Sequence, residues 1–86
     1  MDKESARERA ARFLEAGNRT AEMPLALTDG EPQVRGSVLY FDCQSTAYLR
    51  TGNWRDLAIG SGPVAVDLET GECRLTGSME TAELGL

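Results

Sequence analysis

The chain has no histidine, only two cysteines, three prolines and one tryptophan among its 86 residues. Each shortage excludes something. Without histidine there is no Ser-His-Asp or Cys-His nucleophile, no HExxH zinc site and no general base whose ordinary pKa lies near neutrality. Cys43 and Cys73 are spaced like no metal motif, so no metal site is expected. Strand positions also give their thiols neither a helix end nor a cation to activate them. No apolar run is long enough for a signal peptide or a membrane span, and the chain opens on the charged stretch Met1-Asp2-Lys3-Glu4. A cytoplasmic location is therefore expected. In that reducing compartment the two cysteines read as small buried hydrophobes rather than as a disulfide. Gly60-Ser61-Gly62-Pro63 lacks the Lys-Ser/Thr of a phosphate loop and leads into a strand, so it reads as a tight turn and no cofactor is expected.

What is present fits one small domain over residues 1–86. A chain of this length buries only ~60% of the surface its unfolded form exposes, so the core is thin. The net charge is −5, and it is unevenly spread. Over residues 1–22 the signs balance. From Met23 onward only Arg35, Arg50, Arg55 and Arg74 face nine carboxylates: Asp29, Glu31, Asp42, Asp56, Asp67, Glu69, Glu72, Glu80 and Glu83. Such a surplus repels nucleic acid and anionic membrane and favours a basic partner. It also does the ordinary work of keeping a protein in solution.

Residues 3–16 read as a helix, because Ala6, Ala10, Phe13 and Leu14 recur at three- and four-residue steps. Asp2 is placed as its N-cap and Gly17 as its C-cap. Met23 to Thr28 reads as a strand that Pro24 confines to an edge. Asp29-Gly30-Glu31-Pro32 is a turn, and Val34 to Cys43 is the strongest strand. Ser45 to Arg50 and Trp54 to Ile59 suggest helical turns separated by Thr51-Gly52-Asn53. A hairpin follows, with Val64 and Val66 opposite Leu75 and Cys73, Asp67 opposite Glu72, and Gly71 in the left-handed conformation. Met79 to Leu84 is a short tail with room for one helical turn. The fold class is thus α+β: an N-terminal helix packed on a four-stranded, mainly antiparallel sheet.

Trp54 lies in a loop among Arg50, Arg55 and Asp56. An indole in that setting either caps an open end of a small core or anchors a partner. Tyr48 carries the same two readings. Asp67, Glu69 and Glu72 crowd the hairpin turn. Paired carboxylates serve acid–base catalysis in some enzymes, but on a hairpin they are far more often a solvated edge. The candidate partner-binding residues are accordingly Tyr48, Trp54, Asp56, Asp67, Glu69 and Glu72, with none catalytic.

Tyr40-Phe41-Asp42, Tyr48-Leu49 with Thr51-Gly52, Leu57, Gly60-Ser61-Gly62-Pro63, Val66-Asp67 and Thr70-Gly71-Glu72 together resemble the immunity protein 35 family. The likeness covers nearly the whole chain, including the N-terminal helix followed by Pro24-Leu25. One departure is Ser37-Val38-Leu39, where the family has a tryptophan before its aromatic pair. The resemblance implies an α+β immunity protein of a bacterial polymorphic toxin system, encoded beside the toxin it neutralises. It implies a cognate toxin as partner, which the acidic surplus suggests has a basic contact surface. A structural or chaperone-like module that binds another client at a sheet edge is the alternative. A second copy is also compatible with so thin a core, although no heptad or symmetric apolar stripe marks one.

Overall fold

In the computed structural model, which describes residues 1–19, 23–57, 61–77 and residues 80, 82, 83 and 85, the first helix, α1, spans Lys3–Asn18. Asp2 caps it by accepting from the Ser5 N–H at 2.7 Å, and that hydrogen bond holds its carboxyl below the usual carboxylate range. The helix runs past Gly17, which is not its cap, and ends at Arg19 with right-handed backbone (φ −62°). An outside contact supports the last turn instead. The Asn18 amide donates to the Leu25 carbonyl and accepts from the Leu25 N–H, both at 2.9 Å.

The expected strand over Val34–Cys43 is three strands. Gly36, at φ +61°, and Ser37 form a two-residue hairpin loop between β2 (Gln33–Arg35) and β3 (Val38–Phe41). The chain breaks again at Asp42, whose carbonyl accepts from the Thr28 N–H at 3.0 Å. This turns β4 (Cys43–Ser45) away to pair antiparallel with β1 (Leu25–Leu27). The main sheet has the order β2-β3-β5-β6, all antiparallel, with β5 over Ser61–Asp67 and β6 over Cys73–Gly77. A helix on a four-stranded antiparallel sheet is therefore present, with β2 in the place expected for β1.

The core lies between α1 and one face of the main sheet. Ala6, Ala10 and Leu14 meet Leu39, Phe41, Val64 and Val66, and the small alanines let the helix approach closely. Arg7 secures the β1–β2 connection by donating to the carbonyls of Thr28 (3.0 Å) and Gly30 (2.7 Å), with its guanidinium over the Phe41 ring.

The β5–β6 hairpin has the expected register, Val66 opposite Cys73 and Val64 opposite Leu75, although Leu75 stays exposed. Ser61-Gly62-Pro63 belongs to β5 rather than to a tight turn, and Gly60 lies outside the described residues. A register shift between Ser61 and Val64 accommodates the proline, and the buried Thr76 hydroxyl donates to the Pro63 carbonyl at 2.7 Å. Of the expected tail helix, Glu80, Ala82 and Glu83 are helical, while Met79, Thr81 and Leu84 lie outside the described residues. The cysteines are free, but both are half-buried rather than buried, because β4 and β6 lie at the margins of their sheets. Burial raises both thiol pKa values, and the neighbouring Asp42 adds to the rise at Cys43.

Gly71 has φ +77°, and a Cβ there would stand 3.0 Å from an Arg9 guanidinium nitrogen. That side chain can move, so the backbone strain dominates. Gly71→Val is expected to lower stability by about 1–3 kcal/mol, and Gly71→Asn by less, since asparagine tolerates this region. An unchanged denaturant midpoint for the valine variant would contradict the left-handed turn.

Candidate functional site: an exposed tryptophan on a locked loop

The segment after β4 is short and dense in hydrogen bonds. Ser45 is fully buried, and its hydroxyl accepts from the Tyr48 N–H at 2.9 Å, capping helix α2 (Thr46–Thr51). The same hydroxyl donates to the Asp56 carbonyl. Thr46 N–H donates to the Pro24 carbonyl at 2.9 Å, which ties α2 to the residues just before β1. Gly52 ends α2 at φ +70°, with its N–H on the Tyr48 carbonyl. Trp54–Asp56 then form a single 3-10 turn. The Asn53 side chain accepts from the Arg55 N–H at 3.0 Å, and the Asp56 N–H donates back to the Asn53 carbonyl at 2.9 Å. The Thr51 hydroxyl lies 2.9 Å from both the Ala47 carbonyl and the Asp56 carboxylate, two acceptors for its one proton.

This framework holds Trp54 out in solvent. The indole is 72% exposed, so it does not cap the core. Its close contact is the Arg55 guanidinium, 5.6 Å from the ring centroid. Leu49, on α2, is also exposed. Tyr48 and Asp56 are half-buried. Asp56 bonds inward as a strut of the loop, whereas Trp54 contributes little to the fold.

Asp67, Glu69 and Glu72 lie elsewhere. One Asp67 carboxylate oxygen accepts from the N–H groups of Glu69 (2.8 Å) and Thr70 (3.3 Å), which makes Asp67 the organiser of the β5–β6 turn. Glu69 and Glu72 are exposed. Beside this turn, Val38, Ala65, Asp67, Glu72, Cys73 and Arg74 line a shallow hollow of about 240 Å³. The turn stands at the end of β5, while α2 follows β4, whose Cys43 sulfur lies 3.6 Å from the Gly62 carbonyl near the start of β5. At ~3.3 Å per residue, the five steps from Gly62 to Asp67 put the start of β4 roughly 17 Å from the turn, so the two groups lie toward opposite ends of β5. The six candidate residues thus form two clusters, one aromatic and one acidic. Ser45 and Asn53, which build the aromatic cluster, were not among them. Their signals were local: a serine three residues before Tyr48, and an asparagine two before Arg55.

Among the described residues, no three His, Cys, Asp or Glu side chains converge as a metal site requires, and no helix is long and apolar enough to cross a membrane. No curated protein and no solved structure matches the chain. A family model does, over residues 4–83, described as Immunity protein 35. The chain belongs to the immunity protein 35 family.

Proposed function

We propose, from this membership, that the protein neutralises a cognate bacterial toxin in the cytoplasm by binding it and covering its working surface. The action is stoichiometric and needs no catalytic group. The observation that carries the choice of surface is the 72% exposure of the only tryptophan on a loop fixed by its own hydrogen bonds. A large apolar side chain left in water by the fold, yet held in one place, loses little entropy on docking, which is how interface anchors gain their strength. Tyr48 and Asp56 belong to the hydrogen-bonded loop that carries it.

The acidic turn has a different part. With a net charge of −5, and Asp67, Glu69 and Glu72 gathered at one end, the protein is steered toward a toxin with a basic contact surface. The spatial separation of the clusters separates their kinetic effects. Replacing Asp67, Glu69 and Glu72 with Asn and Gln is expected to slow association about tenfold at low salt and flatten its salt dependence, with little change in dissociation. The check is growth of cells expressing the toxin encoded beside the gene, alongside binding kinetics across ionic strength. Failure of the unaltered protein to protect those cells would contradict the immunity reading. Salt-independent association of the unaltered protein would contradict the steering.

A further inference from the structure

The charge around Trp54 has the opposite sign to that of the molecule. The chain carries −5, yet residues 46–57 contain Arg50 and Arg55 against Asp56 alone. The Asp56 carboxylate is turned to the Thr51 hydroxyl. The two guanidiniums are uncommitted: Arg50 is exposed, Arg55 lies over the indole, and neither forms an ion pair among the described residues. Most other basic groups are engaged, Arg12 on α1 and Arg19 at its C-terminal end being exposed exceptions. Lys3 pairs with Glu31, Arg74 with Glu80, Arg7 holds two carbonyls, and Arg9 donates to the Gly71 carbonyl. At this end, then, Trp54 is exposed with one guanidinium stacked on it, and Leu49 and Arg50 are exposed on the preceding helix α2.

We infer that the pocket on the toxin that receives Trp54 is edged by carboxylates, the reverse of the basic ground that faces the Asp67–Glu72 turn. This rests on the reading of Trp54 as the anchor and adds the chemistry of what it meets. A guanidinium stacked on an indole keeps its N–H edge free, and that edge matches a carboxylate with two parallel hydrogen bonds. A basic rim would instead bring like charges together as water is expelled, which is costly. The two groups, toward opposite ends of β5, thus carry opposite instructions, so the toxin docks one way round. Nucleic acid also favours an aromatic ring beside arginines. Here only two cations face it, on a chain of net charge −5, too few for a phosphate backbone.

Trp54 is the only tryptophan, so its fluorescence reports on this end alone. With each quencher's constant taken relative to that for free N-acetyltryptophanamide, iodide is expected to quench it more strongly than caesium, despite the protein's negative charge, and Arg50→Glu with Arg55→Glu should reverse that order. The same double variant is expected to leave the inactivated toxin encoded beside the gene at least about tenfold faster. Its thermal midpoint should hold, since both side chains lie outside the core. Arg50→Lys with Arg55→Lys should fall between. Caesium quenching above iodide in the native protein would overturn the inference. So would a double-glutamate variant that binds as tightly as native while Trp54→Ala binds weakly; the anchor would then stand and the acidic pocket would fall. If Trp54→Ala also bound normally, the anchor reading would fail and take this inference with it. Strong quenching by a short single-stranded oligonucleotide would assign the surface to nucleic acid and overturn the proposal.

Discussion

Ser45→Ala is expected to lower the unfolding free energy by about 2–3 kcal/mol, a large share of what a domain this small holds. Two losses add. The N-cap of α2 goes, which costs about 1 kcal/mol. The Asp56 carbonyl loses its hydroxyl donor inside the structure, and an unpaired polar group costs about 1–3 kcal/mol. Ser45 has no exposed surface, so no solvent reaches the vacated position directly. The change should also loosen the loop without touching Trp54, and amide exchange at Tyr48 should rise by more than global destabilisation explains. Ser45→Thr, which keeps the hydroxyl, should recover part of the loss. A midpoint unchanged in the alanine variant would mean that the loop is held by something other than this serine.

What could be read from the residues was local, and what could not was the pairing of distant segments. The α1 stripe, the Asp2 cap and the β5–β6 register follow from spacing and turn chemistry within one element or one hairpin. Gly36-Ser37 is itself a hairpin signal, but the apolar run from Val38 to Phe41 masked it, because continuous apolar residues suggest one buried strand. The departure of β4 to join β1 had no local mark beyond Asp42. That departure carries α2 toward the far end of β5 from the acidic turn, a separation between the candidate residues that no local signal gave. Trp54 was legible as a residue of two meanings. Its exposure in three dimensions removes one of them, the cap on the core.

Trp54→Ala is the counterpart of the Ser45 substitution: small for the fold, large for the partner. An indole that packs against little besides Arg55 should change stability by no more than about 0.5 kcal/mol when removed. In the complex the same truncation empties a desolvated pocket and is expected to cost about 2 kcal/mol, roughly a thirtyfold loss of affinity, carried mainly by dissociation. The measurement that bears most directly on the account is the dissociation rate of Trp54→Ala from an inactivated form of the proposed cognate toxin, read together with the variant's unfolding midpoint. Dissociation about thirtyfold faster with an unmoved midpoint is the result the account predicts. A native dissociation rate from an equally stable variant would contradict it.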